Sequence, residues 1–184
     1  MKNSYLILFT ASLMSFAACE STKSDKEETT VETEEVTADE AADYSGMQKL
    51  DLSDYAIAGS LYIPNENKGK AKINETAYGS VQIVVGDRFG LEIVPFGQSL
   101  EEKKAELSND LVYELNVIEE DENYMMFEKS IKESDVEPEY HFFMNVELDG
   151  EIYEIKSITD NAYSKAAVES MLKSAQSFSP QAVS

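Results

Sequence analysis

The amino-acid sequence predicts an α+β domain, with a mainly antiparallel sheet of about six to eight strands and two packed helices. Short segments of alternating apolar and polar residues, separated by turn-forming residues, indicate the strands. Two other segments begin with a helix-capping serine and carry apolar residues on one side. Strands that outnumber helices but share a core with them are typical of the α+β class.

The first predicted strands occupy residues 60–64, 68–73, 80–85 and 89–94. The last two alternate most clearly, and residues 86–88 separate them. A three-residue loop sets Val81 opposite Ile93, whereas a two-residue loop sets Val81 opposite Glu92. Because apolar side chains should share the buried face, the sequence predicts a three-residue hairpin loop.

A helix is predicted next, over residues 99–110. Ser99 stands three residues before Glu102, which is the spacing of a capping box. Leu100 and Leu107 lie on one side of this helix and should be buried. Two further strands are predicted at 111–118 and 124–131.

The strongest local signal is a hairpin over residues 139–158, in which Asp149 and Gly150 favour a type I′ turn. This turn sets three pairs opposite one another: Val146 with Tyr153, Met144 with Ile155, and Phe142 with Ser157. Tyr140 and Leu148 join the same face, which we predict to be core.

The other face of this hairpin is mixed rather than polar, since it carries the large apolar residues Phe143, Ile152 and Ile158. The rest of this face consists of His141, Asn145, Glu147, Glu154 and Lys156. We favour the interpretation that a helix covers this mixed face. If the face is open instead, the residues at which to look for a ligand are His141, Phe143, Lys156 and Ile158.

The last predicted element is a helix after Ser164, its expected N-cap. Its apolar residues recur at helical spacing and should pack on the sheet: Val168, Met171, Leu172, Ala175 and Phe178. No proline- or glycine-rich break divides residues 47–184, so we predict one globular domain there.

Residues 1–18 have the layout of a secretory signal peptide. Lys2 gives a positive start, Tyr5–Phe16 is an apolar run, and two small alanines follow. The run is shorter than the roughly 20 residues that a membrane-spanning helix needs. The chain's only cysteine, Cys19, comes directly after the alanines.

The stretch FAAC, which ends at Cys19, resembles the lipobox of bacterial lipoproteins, although Phe16 stands where that family prefers leucine. The resemblance implies that the Cys19 thiol is acylated and that the preceding peptide is removed. Two or more acyl chains hold a protein stably on a bilayer. The alternative is an ordinary signal peptide with an incidental cysteine.

Residues 19–46 follow as an acidic segment with almost no large apolar side chains, which predicts a disordered tether. Charged residues soon after Cys19 are similar to the export tags of some surface lipoproteins. Glu20 is not the aspartate that retains many lipoproteins at the inner membrane. We therefore predict a lipid-anchored protein of the cell envelope, at the outer membrane.

The order of elements resembles the superfamily of photosystem II extrinsic (PsbP-like) proteins, and stretches such as LYIP, SLEEKK and DGEIY contribute to the likeness. The resemblance implies an antiparallel sheet with helices on both faces. Because members of that superfamily serve mostly as accessory and assembly proteins, it also favours a non-enzymatic role.

Composition and motifs argue against several kinds of binding and catalytic site. A net charge of -21 argues against binding nucleic acid. One histidine and one cysteine exclude the common His- and Cys-based metal sites, and the acidic run 119–122 lacks EF-hand spacing, so we predict no metal and no cofactor. A catalytic triad would need His141 as its base, yet Ser99 is better explained as a helix cap.

Two functions remain open. The first is a lipid-anchored module that binds or assembles an envelope protein or a small ligand. The second is an envelope hydrolase that uses carboxylates which the sequence does not reveal. A cleft with converging carboxylates of strongly shifted pKa would favour the hydrolase, whereas an apolar patch would favour binding.

Overall fold

The computed structural model describes residues 43–148 and 150–181. The predicted signal peptide, Cys19, most of the predicted tether and Asp149 of the predicted turn lie outside these residues.

Ten strands and two α-helices are present in the described residues. The strands are β1 (Met47–Asp51), β2 (Gly59–Pro64), β3 (Ala71–Glu75), β4 (Val81–Val85), β5 (Phe89–Pro95), β6 (Tyr113–Glu120), β7 (Tyr124–Ile131), β8 (Glu139–Leu148), β9 (Glu151–Ser157) and β10 (Ser179–Pro180). The helices are α1 (Leu100–Ser108) and α2 (Lys165–Gln176).

Seven strands form one antiparallel sheet in the order β3-β4-β5-β9-β8-β7-β6. This confirms the predicted α+β class and the predicted size of the sheet. A second sheet, in the order β1-β2-β10, was not predicted from the sequence. The short β1 and the two-residue β10 lack a clear alternation, and each forms a strand by pairing with β2.

The strand registers confirm the predicted loop of the first hairpin and two of the three pairs predicted for the last one. The third predicted pair, Phe142 with Ser157, is wrong, because the pairing of β8 with β9 ends at Phe143 opposite Lys156. Val81 stands opposite Ile93, as the three-residue loop requires. In the last hairpin, Val146 stands opposite Tyr153 and Met144 opposite Ile155. These registers place one apolar row of each hairpin on the same face of the sheet.

Both helices begin where the sequence predicts. The Ser99 hydroxyl accepts a hydrogen bond from the amide of Glu102, and the Glu102 carboxylate accepts one from the amide of Ser99, which completes the capping box. The Ser164 hydroxyl accepts from the amide of Ala167 and caps α2. These contacts satisfy amides that the first helical turn leaves without partners.

The main core lies on one face of the large sheet, where α2 packs against it. Strand β2 of the small sheet contacts α2 and contributes Leu61 and Ile63 to the same core. Phe142, Met144 and Leu148 are buried there, while Tyr140 and Val146 are half-buried. The predicted apolar side of α2 supplies Val168, Met171, Leu172 and Ala175.

A second core lies on the opposite face, beneath α1. Leu100 and Leu107 of the helix pack against three residues of the sheet: Met125, Phe127 and Phe143. Phe143 is only 1 % exposed, so the helix-cover interpretation of the mixed face is confirmed at this residue. Helix α1 is nevertheless only nine residues long and leaves part of this face open.

Candidate functional site

Strands β8 and β9 are neighbours, but their backbone pairing does not reach the first residues of β8. Pairing runs from Leu148 opposite Glu151 to Phe143 opposite Lys156 and continues no further toward the start of β8. Strand β9 continues along β5, where Ser157 stands opposite Leu91. The first residues of β8 are therefore paired with β7 on one side and open on the other.

His141 lies at this split between the two strands. Its Nδ1 is 3.0 Å from the Ser157 hydroxyl oxygen, and its Nε2 is 3.6 Å from a carboxylate oxygen of Glu139. In the tautomer that carries its proton on Nε2, the Ser157 hydroxyl donates to Nδ1 and the Nε2 proton faces Glu139. The Phe127 ring packs beside the imidazole, with the two ring centroids 5.8 Å apart.

The environment of His141 favours its neutral form. Burial lowers the pKa of the imidazole below its usual value of 6.5, and the nearby charges of Lys129 and Lys103 lower it further. Glu139 acts in the opposite direction but does not outweigh burial. Burial and the two nearby ammonium groups therefore both favour the neutral ring at pH 7.

The segment that leads from β5 into α1 is fixed to the hairpin below it. Asn145 donates a side-chain hydrogen bond to the carbonyl of Gln98 over 2.7 Å, and the amide of Gly97 donates to the carbonyl of Ile152 over 3.0 Å. A Cβ at position 97 would lie 2.4 Å from that of Glu154, so only glycine permits this approach. These contacts hold the start of α1 above β8 and β9.

A cleft of about 320 Å³ lies between α1 and the split. Helix α1 and the turn after it supply Lys103, Glu106, Leu107 and Asp110. The other lining residues come from β7, β8, β9 and the position just after β9: Phe127, Lys129, His141, Phe142, Phe143, Lys156, Ser157 and Thr159. Its volume is at the lower end of the range for small-molecule sites, and its lining of eight polar or charged and four apolar residues is more polar than is usual for them.

Three lysines from three different elements line this cleft, in a chain that has only fifteen basic residues and a net charge of -21. Lys103 forms an ion pair with Glu106 at 3.0 Å. Lys156 forms one with the buried Glu154 at 2.6 Å. Lys129 instead lies over the ring of Tyr113, with Nζ 4.1 Å from the ring centroid.

The two carboxylates of the cleft also have partners. Burial acts to raise the pKa of Glu106, but hydrogen bonds from Lys103 and Gln98 outweigh it, and the pKa is lowered. The pKa of Asp110 is lowered by hydrogen bonds from the amides of Val112 and Tyr113. Both groups are therefore ionised at neutral pH, whereas a general acid requires a raised pKa.

The structure brings three of the four residues singled out from the sequence to this cleft: His141, Phe143 and Lys156. Ile158 is buried elsewhere, beside Gly90, and does not line the cleft. Lys103, Lys129, Ser157 and Thr159 were not singled out. They come from separate elements, and no spacing along the chain indicates that they meet.

Ser157, His141 and Glu139 stand in the order of a catalytic triad, but their geometry does not suit that chemistry. Ser157 is only 1 % exposed, so its hydroxyl is poorly accessible to a substrate. The distance of 3.6 Å from Nε2 to Glu139 exceeds hydrogen-bond range. We interpret the His141–Ser157 contact as a clamp that closes the base of the split.

A second depression of about 680 Å³ lies at the start of α2. Its charged residues, Lys68, Asp87 and Arg88, are all exposed, and it contains none of the residues singled out from the sequence. Within residues 43–148 and 150–181, no group of three or more His, Cys, Asp and Glu side chains is placed to hold a metal ion. In the same residues, no helix is long and apolar enough to cross a membrane.

Comparisons with known proteins identify no family for this chain, since neither a protein-family model nor a curated protein sequence matches it.

Proposed function

We propose that this protein is a lipid-anchored module of the cell envelope that binds a small ligand in the cleft beneath α1. The observation that carries the binding role is the cleft itself. Groups from α1, β7, β8 and β9 converge there above the buried His141. The proposal of a lipid anchor is based on the stretch that ends at Cys19, which resembles a lipobox.

The contents of the cleft favour binding over hydrolysis. Its carboxylates, Glu106 and Asp110, have lowered pKa values and are held by donors of the same chain. A hydrolase that uses a carboxyl group as its general acid needs that group to remain protonated at working pH. A cleft that combines three lysines with apolar side chains suits the retention of a ligand instead.

The experiment is a screen of small neutral, cationic and anionic compounds against the full chain, with Cys19→Ser to remove the predicted anchor. The nuclear magnetic resonance signal of the His141 ring is the reporter, because this is the only histidine. We expect at least one class to shift the signal saturably.

A matched pair of variants locates the binding. Thr159 lines the cleft and is exposed, so Thr159→Trp should obstruct it; Asp160 is its exposed neighbour and does not line it. Binding should be lost in Thr159→Trp and retained in Asp160→Trp. If no class binds, or if both variants bind equally, the proposed binding role is wrong.

A further inference from the structure

Lys129 differs from the other two lysines of the cleft in its partners. Among the described residues, no carboxylate lies within ion-pair distance of its ammonium group, which contacts the face of Tyr113 instead. Glu139, its cross-strand neighbour, faces His141 Nε2. Lys129 is thus the one lysine lining the cleft whose charge no carboxylate of the described chain neutralises at contact distance.

Unlike Lys129, each carboxylate of the cleft accepts hydrogen bonds from donors of the chain. Glu106 accepts from Lys103, and Asp110 accepts from two backbone amides. A cationic ligand would have to share these carboxylates with the donors that already hold them. An anionic ligand would meet Lys129 without displacing a carboxylate in contact with it, because Asp110 acts on Lys129 only through a charge interaction beyond ion-pair distance.

The floor beside this charge is apolar. Leu107 of α1, Phe127 and Phe143 line the cleft together with the exposed Thr159 and with Ser157, whose hydroxyl already contacts His141. The three apolar side chains are only 8 %, 4 % and 1 % exposed, so a hydrophobic body would pack against the edge of their covered cluster while a negative group faces Lys129. The volume of about 320 Å³ limits that body to a small one.

We propose that the ligand of this cleft is a small carboxylate with a compact apolar body, whose carboxyl group pairs with Lys129. This inference rests on the proposed function, because it names the class of ligand that the binding cleft takes. His141, Lys103 and Lys156 line the same cleft.

The test compares four probes in the Cys19→Ser form of the full chain, with the His141 ring signal as the reporter. Benzoate has the proposed chemistry, benzamide has the same shape without the charge, benzylammonium has the opposite charge, and inorganic phosphate lacks the apolar body. We expect benzoate to bind at least about tenfold more tightly than each of the others.

Variants of one residue then assign the charge. Lys129→Gln should remove the preference for benzoate over benzamide, and Lys129→Arg should restore most of it. Lys132→Gln should change nothing, because Lys132 is an exposed lysine that pairs with Glu114 and does not line the cleft.

Different negative results overturn different proposals. Equal binding of benzoate and benzamide, tighter binding of benzylammonium or phosphate, or an unchanged preference in Lys129→Gln would overturn the carboxylate inference alone. So would a positive compound screen in which benzoate does not bind. If the screen finds no ligand of any class, the proposed binding role fails as well.

Discussion

His141 Nδ1 lies 3.0 Å from the Ser157 hydroxyl oxygen, across the point where β8 and β9 cease to pair. The two side chains line the cleft, and the charges of Lys129 and Lys103 act on the imidazole there. The cleft therefore owes its position to a local separation of two strands, above which α1 is held.

The charges around this pair give the first prediction, which concerns the pKa of His141. We expect its ring to titrate below 6.5, because burial is the largest influence. Glu139→Gln should lower this pKa further, since Glu139 stabilises the protonated ring, and Lys129→Gln should raise it. A magnetic resonance titration of the ring measures all three. A wild-type value above 6.5 would contradict the account.

The same pKa shift links stability to pH. The unfolded chain binds a proton at His141 more readily than the folded chain does. The free energy of unfolding should therefore be fully retained above pH 6.5 and should decrease as the pH falls from there through the folded pKa. In His141→Gln this contribution to the slope should disappear in denaturant titrations between about pH 5 and 7, which cover the range in which histidine titrates.

The second prediction concerns the two covered faces of the sheet. Phe143 and Met144 are buried on opposite faces, one beneath α1 and one in the main core. We expect Phe143→Ala to lower the free energy of unfolding by about 3–5 kcal/mol and Met144→Ala by about 2–5 kcal/mol. Urea unfolding compares them with Val136→Ala, an exposed control that should change stability by less than about 0.5 kcal/mol. A Phe143→Ala effect as small as the control's would mean that α1 does not cover this face.

The third prediction concerns the helix caps. Ser99→Ala and Ser164→Ala should each lower the free energy of unfolding by about 1 kcal/mol, because each removes an acceptor for an amide in the first helical turn. Ser108→Ala is the control, at the exposed end of α1. Thermal unfolding of the three variants is the measurement. Equal melting temperatures for Ser99→Ala and Ser108→Ala would show that the capping box contributes nothing measurable.

The fourth prediction concerns Cys19. We expect metabolic labelling with a fatty acid to be present in the wild type and lost in Cys19→Ser, and the variant to leave the membrane fraction. Ser21→Ala is a control that keeps the predicted lipobox intact. Undiminished labelling of Cys19→Ser would refute the lipoprotein interpretation.

Much of the fold could be predicted because its signals are local. The β4–β5 register follows from matching Val81 with Ile93, and the start of α1 follows from the spacing of Ser99 and Glu102. The burial of Phe143 could also be predicted. An apolar row on the second face of a sheet needs cover, and the chain contains a helix that can supply it.

The cleft could be predicted only in part, because it depends on contacts between distant segments. His141 and Lys156 were singled out for their place on one face, but the split that opens beside them arises where β9 continues along β5. Lys129 joins them through the pairing of β7 with β8, and Lys103 through the packing of α1 on the sheet. Their arrangement follows from this packing and has no signature in the local sequence.

The most direct test of the central claim is native mass spectrometry of the full chain purified from membranes in mild detergent. We predict a bound small molecule in the wild type and in Asp160→Trp, and its loss from Thr159→Trp and Lys129→Gln. Its mass should identify a compound that carries a carboxyl group. Equal occupancy in all four proteins, or a bound molecule without a negative charge, would contradict the account.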